Sequence, residues 1–232
     1  MDRNIAIVTG ATGDLGRGVC TALTDAGSVV VALDVVTDRA VTADRVIGCD
    51  VTDAQACRDA VDEVVRDFGP PTTLVQLAQK WNHVELMDVT DDEMELCYQS
   101  GPAATLRFMQ LCYPYMKELG GGSVINFASS SGTQGGVYGE GAYAAAKEAI
   151  RGLTKHAAIE WGSDNIRVNC LCPIATSNPD RWGPTVKEII PLKRLGDPVV
   201  DVGGTVVFLA GPSGSFITGR TLHVDGGIGM WR

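Results

Sequence analysis

Short apolar runs rich in β-branched residues alternate along this chain with longer segments in which apolar residues recur every three or four positions. The first run is Ile5–Thr9, a helical pattern covers 16–26, and a second run covers Val29–Asp34. This alternation is typical of βαβ units around a parallel sheet. Further strands are predicted at 46–49, 73–77, 123–128, 167–172 and 221–224.

The pattern predicts an α/β fold, a Rossmann-like doubly wound parallel sheet of about seven strands with helices on both faces. The 232 residues contain no internal repeat, low-complexity tract or Pro/Ser-rich linker, so we expect a single domain over 1–232. Irregular segments at 79–88, 132–141 and 174–191 follow the fourth, fifth and sixth predicted strands. Because ligands bind at strand carboxyl ends in such sheets, we expect these three loops to line a site.

Composition and charge narrow the possible functions. The chain is 45% hydrophobic and 20% charged, which is ordinary for a globular protein, and its formal net charge is -9. An acidic surface repels both a phosphate backbone and an anionic lipid surface, so we expect no nucleic-acid partner and no membrane partner. No run approaches the roughly 20 apolar residues of a membrane span, and the N-terminal apolar run is too short for a signal peptide, which predicts a cytoplasmic protein.

The seven cysteines and three histidines do not have the spacing of a metal site. Cys170 and Cys172 share one face of a predicted strand, but two thiols without further ligands make a poor metal site. We therefore predict buried, reduced cysteines and no metal. The histidines, which are widely separated, are His83, His156 and His223.

A glycine-rich turn, Thr9-Gly10-Ala11-Thr12-Gly13-Asp14-Leu15-Gly16, directly follows the first predicted strand and opens a helix. Its glycines permit a tight turn and let backbone N–H groups approach a diphosphate at the positive end of the helix dipole. This context predicts a dinucleotide site. The predicted cofactor-binding residues of the turn are Gly10, Thr12, Gly13, Asp14, Leu15 and Gly16.

Asp34 ends the second predicted strand, where its carboxylate can accept hydrogen bonds from the adenosine ribose. The same charge would repel a 2′-phosphate, so we predict NAD in preference to NADP. NADP stays the alternative, because Arg17 and Arg39 could pair with its 2′-phosphate. Asp50 and Val51, after the third strand, are predicted to lie beside the adenine ring.

Tyr143 and Lys147 have the spacing i, i+4 and follow the serine run 129–131. On a helix this spacing places a phenol and an ammonium on one face, where the positive charge favours the phenolate. Such a tyrosine can exchange protons near neutral pH.

Further motifs accompany this pair. They are Thr9-Gly10, Asn126-Phe127-Ala128-Ser129, Ile166-Arg167-Val168-Asn169, Pro173, Pro191-Leu192-Lys193-Arg194-Leu195-Gly196, Phe216-Ile217-Thr218-Gly219 and Val224-Asp225-Gly226-Gly227. From residue 5 to residue 227 the chain thus resembles the short-chain dehydrogenase/reductase family, in its shorter single-domain branch.

The resemblance implies an NAD-dependent oxidoreductase that interconverts a secondary alcohol and a ketone by hydride transfer. Tyr143 would exchange a proton with the substrate oxygen, Lys147 would hold the nicotinamide ribose, and Ser129 would orient the substrate, with Ser130 in reserve. A homotetramer or homodimer is also implied, with the apolar segment 228–231 at an interface. Further implied cofactor contacts are Ala78, Tyr143, Lys147, Pro173 and Thr176.

The chain departs from the family pattern at three places. Asp14 stands where glycine is usual, which would put a carboxylate near the cofactor phosphates, partly compensated by the helix dipole. The segment 76–79 reads Gln-Leu-Ala-Gln instead of Asn-Asn-Ala-Gly. The asparagine of the family's catalytic tetrad is replaced by Gln99, Ser100 or Gly101, so a proton relay would use Gln99, a rearranged water chain, or nothing.

Two other functions stay open. The altered segment 76–79 and the missing asparagine would suit a catalytically impaired nucleotide-binding sensor or assembly protein. The Thr-Gly-x-x-Gly-x-x-Gly spacing would suit a non-redox, epimerase- or dehydratase-like member of the family.

The predicted loops also offer substrate contacts. Lys80 and Arg181 would pair with a substrate carboxylate, whereas Tyr138 and Trp182 would form an apolar wall for a cyclic or aromatic substrate.

Overall fold

A single parallel sheet of seven strands organises the molecule, whose computed structural model describes residues 4–134, 137–178, 180 and 183–231. The strands are β1 (Ile5–Thr9), β2 (Val29–Asp34), β3 (Arg45–Gly48), β4 (Thr73–Gln76), β5 (Gly122–Phe127), β6 (Ile166–Pro173) and β7 (Thr221–Val224). Their order across the sheet is β3-β2-β1-β4-β5-β6-β7, and every neighbouring pair is parallel.

Helices connect the strands on both faces of the sheet. They are α1 (Asp14–Asp25), α2 (Ala54–Phe68), α3 (Asp91–Tyr98), α4 (Ala104–Glu118), α5 (Ser130–Thr133), α6 (Gly141–Trp161), α7 (Gly183–Ile189) and α8 (Gly204–Ala210). π-Helical turns cover Gln99–Ala103 and Pro198–Gly203, and 3₁₀ turns cover Gly162–Asp164, Pro212–Gly214 and Ile228–Trp231.

The sheet separates two hydrophobic cores. Successive residues of β1 alternate between them: Ile5 and Ile7 enter the core that α2 and α4 cover, and Ala6 and Val8 enter the core that α1 and α8 cover. Burial on both faces explains why β1 and β2 read as continuous apolar runs instead of alternating with polar residues. The predicted doubly wound α/β fold is thus confirmed. All seven cysteines are buried with free thiols, as the sequence predicted.

The loops are more helical than the sequence predicted. The segment 132–141 overlaps the short helix α5, and 174–191 contains α7, so neither is wholly irregular. Helices of four and seven residues are too short to show a helical period, which explains both differences. The helix predicted over 16–26 begins two residues earlier, at Asp14.

The order of the strands reverses between β1 and β4. In open α/β sheets the crevice for ligands opens at such a switch point, beyond the carboxyl ends of the strands. The predicted site residues after β1, β4, β5 and β6 all come to this edge. Among the described residues, no helix is both long and apolar enough to cross a bilayer.

Candidate active site

The turn after β1 is held by close approach of backbone to backbone. Gly10 has φ +66, and a Cβ there would lie 2.7 Å from the Ala78 nitrogen at the end of β4. A Cβ on Gly16 would lie 2.2 Å from the Gly10 oxygen. Both positions therefore require glycine, and the first turn of α1 is drawn tightly against β1 and β4. Gly13 is the N-cap of α1, and Leu15 lies in its first turn.

Asp34, the last residue of β2, faces this turn. Its Oδ2 accepts a hydrogen bond from the Thr12 N–H at 2.9 Å, and its Oδ1 accepts one from the Val36 N–H at 3.1 Å. These bonds fix the carboxylate beside the glycine-rich turn. The structure thus places the carboxylate beside the glycine-rich turn, and its contact with the ribose stays a prediction.

Asp50 and Val51 form the neighbouring loop after β3. The Asp50 carboxylate accepts hydrogen bonds from the Thr52 N–H at 2.9 Å and the Thr52 hydroxyl at 2.7 Å, which together lower its pKa. The Val51 carbonyl accepts a hydrogen bond from Arg107 Nη1 at 2.5 Å. α4 therefore holds this loop from behind, against the core.

Asp14 accepts hydrogen bonds from the segment after β6, which the sequence did not predict. Its Oδ2 accepts a hydrogen bond from the Thr176 hydroxyl at 2.6 Å, and the Ser177 N–H donates to both carboxylate oxygens at 3.1 and 3.2 Å. The Ser177 hydroxyl also donates to Oδ1. Thr176, predicted as a cofactor contact, is thus joined to Asp14, and Ser177 is a site residue that sequence reasoning missed. A carboxylate in a glycine's place was the signal that a donor partner should be sought.

Tyr143 and Lys147 lie on α6, one turn apart. Lys147 is 3% exposed, and its Nζ donates to the Phe127 carbonyl at 2.9 Å. The same Nζ lies 5.6 Å from the centre of the Tyr143 ring. Burial lowers the pKa of Lys147 to about 8. The structure therefore brings the phenol and the amine to one face of α6, as the i, i+4 spacing predicted.

Ser129 follows β5 and is the N-cap of α5. Its Oγ accepts a hydrogen bond from the Ser131 N–H at 3.1 Å. The Ser131 hydroxyl in turn donates to Glu140 Oε2 at 2.5 Å, which joins α5 to the start of α6. Ser130 is the first residue of α5, and its carbonyl accepts from Gln134 N–H at 3.0 Å.

Trp81 packs against the tyrosine. Its ring centre lies 4.7 Å from that of Tyr143, with 31° between the planes, and 4.5 Å from that of His83. The loop that carries it is tied to the start of α6 through the Val84 N–H, which donates to the Gly139 carbonyl at 2.9 Å. No sequence pattern predicts this stacking, since Trp81 and Tyr143 are 62 positions apart.

Ser100 and Gln79 occupy the region of the missing asparagine. The Gln79 Nε2 donates to the Ser100 Oγ at 3.2 Å and to the Cys97 carbonyl at 3.0 Å. A Cβ added at Gly101 would lie 2.4 Å from the Gln79 Oε1. Glycine at position 101 therefore leaves room for the glutamine side chain. Gln99, a predicted candidate for the relay, instead donates to Glu95 Oε1 at 2.7 Å.

Two predicted substrate contacts, Arg181 and Trp182, lie outside the described residues. Pro173 ends β6 and pairs in register with Val224.

Arg17 Nη2 lies 3.9 Å from Asp14 Oδ1, and Arg39 is exposed. The structure therefore links the first of these two cations to the glycine-rich turn and leaves the second at the surface.

The residues fit a nicotinamide dinucleotide, with one exception. The glycine cradle at Gly10 and the Asp34 carboxylate match the diphosphate and ribose requirements of such a cofactor. Asp14 places a second anion where the helix start would receive the diphosphate.

Comparisons with known proteins find relatives that match nearly the whole chain. A family model described as Enoyl-(Acyl carrier protein) reductase matches residues 10–229. The 12alpha-hydroxysteroid dehydrogenase of Clostridium sp. is 36% identical over 99% of this chain and 98% of its own length. The human (3R)-3-hydroxyacyl-CoA dehydrogenase is 32% identical over 97% of this chain and 95% of its own.

A solved structure from Sinorhizobium meliloti 1021, provisionally described as a short-chain alcohol dehydrogenase, superposes with a TM-score of 0.88. It is 26% identical and covers 98% of this chain and 97% of its own. Since the family model and the relatives each span nearly the whole chain, and the sheet has the fold that they imply, the chain belongs to the short-chain dehydrogenase/reductase family.

Proposed function

We propose that this protein is an NAD-dependent oxidoreductase that interconverts a secondary alcohol and a ketone. The observation that carries the proposal is the buried Lys147 amine, which is held by the Phe127 carbonyl and lies 5.6 Å from the Tyr143 ring centre. A buried cation beside a phenol at a ligand-binding edge is an arrangement that enzymes use for proton transfer. Relatives named as dehydrogenases of hydroxyl-bearing substrates support the same reaction class.

Tyr143 exchanges the proton. In ketone reduction its hydroxyl donates a proton to the substrate oxygen, and in alcohol oxidation its phenolate accepts one. Lys147, whose pKa of about 8 leaves it mostly protonated at neutral pH, stabilises that phenolate. Lys147 thus keeps its proton throughout the reaction, while Tyr143 alternates between the phenol and the phenolate.

Ser129 orients the substrate oxygen. Its Oγ accepts from the Ser131 N–H at 3.1 Å, and a hydroxyl that accepts one hydrogen bond can still donate its own proton. A donor fixed at an N-cap can stabilise charge that develops on the substrate oxygen.

Residues 9–16 and Asp34 would hold the cofactor, which supplies or accepts the hydride when bound. Two backbone N–H groups fix the Asp34 carboxylate at 2.9 and 3.1 Å. A carboxylate fixed in this way receives two ribose hydroxyls but repels a 2′-phosphate, which supports NAD over NADP. The pairing of Arg17 with Asp14, at 3.9 Å, makes this cation less available to a 2′-phosphate.

The substrate side is apolar. Trp81 stacks on Tyr143, and Leu86, Met87 and Tyr138 are 77%, 93% and 76% exposed on the two loops that meet beside α6. Exposed apolar side chains grouped at a surface favour an apolar partner. We therefore propose a cyclic or otherwise bulky apolar alcohol, in keeping with the hydroxysteroid named for one relative.

Turnover followed by nicotinamide absorbance tests the proposal. We expect a panel of cyclic secondary alcohols and ketones to contain substrates that are converted with NAD and poorly with NADP. The absence of turnover across the panel, together with tight NADH binding, would contradict the proposed reaction.

A second function, a nucleotide-binding sensor or assembly protein, is favoured by one observation. Asp14 already occupies the hydrogen-bond donors of Thr176 and Ser177 at the diphosphate position. Reversible NADH binding without turnover, and a partner protein recovered only in the presence of NADH, would support this alternative over the first.

We also propose a cytoplasmic homotetramer or homodimer. Ile159, Phe208 and Phe216 are 79%, 40% and 102% exposed, and apolar side chains of this size at the surface suit contacts between subunits. A monomer by light scattering would contradict the assembly.

A further inference from the structure

The carboxylate of Asp14 is the acceptor for three hydrogen-bond donors from one short segment. The Thr176 hydroxyl donates to Oδ2 at 2.6 Å, the Ser177 N–H donates at 3.1 Å, and the Ser177 hydroxyl donates to Oδ1. Arg17 Nη2 adds a cation 3.9 Å away. We call Asp14, Thr176 and Ser177 the Asp14 latch.

The latch joins two parts of the fold that are far apart in the chain. Asp14 begins α1, whereas Thr176 and Ser177 follow β6, 162 and 163 positions later. The segment after β6 is fixed on its other side as well, because the Thr176 N–H donates to the Gly196 carbonyl at 3.1 Å and the Gly196 N–H donates to the Ile174 carbonyl at 3.0 Å. The latch therefore holds an ordered segment, the residues directly after β6, against the start of α1.

The start of α1 is also where a dinucleotide diphosphate would bind, at the positive end of the helix dipole and next to the glycine-rich turn. A diphosphate needs hydrogen-bond donors, and those of Thr176 and Ser177 already serve the carboxylate. The Asp14 side chain is only 18% exposed, so water screens it poorly from a second anion.

We infer that Asp14 is an internal competitor of the cofactor diphosphate, and that the latch must open before a nicotinamide dinucleotide binds tightly. Asp14 thereby sets cofactor affinity, and binding is coupled to release of the segment after β6. The inference rests on the proposed dinucleotide site, but it concerns a residue whose effect on affinity is separate from the chemistry.

Binding measurements on Asp14 variants test the competition. NADH, ADP and adenosine are titrated into the native protein, Asp14→Gly, Asp14→Asn and the control Asp25→Asn, which removes the same charge from the other end of α1. We expect Asp14→Gly to bind NADH and ADP about tenfold more tightly or better, the size of one lost unfavourable interaction between charged groups. Asp14→Asn should gain less, because its amide oxygen still accepts from Thr176 and Ser177.

Adenosine separates the diphosphate from the rest of the nucleotide. Since adenosine has no diphosphate, its affinity should be the same in the native protein and in Asp14→Gly. An equal gain for adenosine would place the effect in the nucleoside pocket and overturn the inference. The Asp25→Asn control should leave all three affinities at their native values.

Amide hydrogen exchange tests the latch without any cofactor. The Ser177 N–H donates to Asp14 in the structure, so it should exchange slowly in the native protein and faster in Asp14→Gly. Asp14→Ala should behave as Asp14→Gly does, which shows that added backbone freedom is not the cause. Rapid exchange of this amide in the native protein would overturn the latch.

The outcomes distinguish the inference from the proposed function. Tight NADH binding by the native protein, unchanged or weakened in Asp14→Gly, would overturn the latch and leave the proposed oxidoreductase standing. No NADH binding by the native protein or by Asp14→Gly would overturn both.

Discussion

The proposed catalytic face, formed by Ser129, Tyr143 and Lys147, and the proposed nucleotide cradle, formed by residues 9–16 and Asp34, are built from different kinds of contact. The catalytic pair sits one turn apart on a single helix, and its amine is fixed by the neighbouring strand end. The cradle carries a bond to a segment 162 positions away. The first arrangement rests on the spacing within one helix and on one buried amine, whereas the second depends on how distant segments close.

The two regions also differ in charge. The catalytic face contains one buried cation, which matches the anion that forms on a tyrosine or on a substrate oxygen. The cradle contains two carboxylates: Asp14 lies where an anionic diphosphate is expected, and Asp34 lies where the adenosine ribose is expected. From this comparison we expect that substitutions can change the chemistry of this protein and its affinity for the cofactor separately.

The largest effect should come from the catalytic face alone. Tyr143→Phe removes the proton that is exchanged, so we expect turnover to fall about 10²- to 10⁴-fold while the NADH dissociation constant stays near its native value. Steady-state turnover and fluorescence titration measure the two. Tyr98→Phe, at the exposed end of α3, is the matched control. Retained turnover in Tyr143→Phe would remove the tyrosine from the mechanism.

The buried amine should make stability depend on pH. Burial lowers the pKa of Lys147 from its ordinary 10.5 to about 8. Below pH 8 both the folded and the unfolded chain carry the proton, and the full cost of burying the charge is present. Between about 8 and 10.5 the unfolded chain binds more protons, so the contribution of Lys147 to stability rises with pH.

Lys147→Met has no such charge to bury. The free energy of unfolding of the native protein should therefore rise, relative to this variant, by about 3 kcal/mol across that pH window. Urea unfolding across the window measures the difference, and Lys155→Met, an exposed lysine of the same helix, should leave it unchanged. Parallel pH profiles for the native protein and Lys147→Met would show that the amine is not buried as the structure has it.

The smallest of these effects should come from the cradle. Asp34→Asn keeps an acceptor but loses the charge, and a hydrogen bond to a charged group contributes about 1 kcal/mol more than a neutral one, so NADH should bind several-fold to about tenfold more weakly. NADPH should lose less, because the repulsion of its 2′-phosphate is relieved. Fluorescence titration with both cofactors checks this, and Asp38→Asn, an exposed neighbour, is the control. An unchanged NADH affinity would mean that Asp34 does not contact the ribose.

Much of the fold follows from local pattern. The bounds of β1, β2 and β7 agree with the runs predicted from the sequence. β1 and β2 are apolar because both of their faces are buried, whereas β7, at the edge of the sheet, is only partly buried. The helices α5 and α7 were not predicted, because they are too short for a helical period to develop.

The candidate site divides in the same way. The i, i+4 spacing of Tyr143 and Lys147 and the glycine turn at Gly10 are visible in the sequence, since helix geometry and a backbone φ of +66 are local requirements. Gln79 is different, because its place over Gly101 depends on the packing of the β4 loop against the π-helical turn.

The sequence by itself determined the parallel sheet, the glycine-rich turn and the pairing of a phenol with an amine on α6. Only the tertiary structure decided that Lys147 is buried against Phe127, that Trp81 stacks on Tyr143 and that Asp14 binds Thr176. The physical reason is that backbone period and turn geometry act between neighbours in the chain, whereas burial and hydrogen bonding between distant residues exist only once the strands have brought their carboxyl ends to one edge.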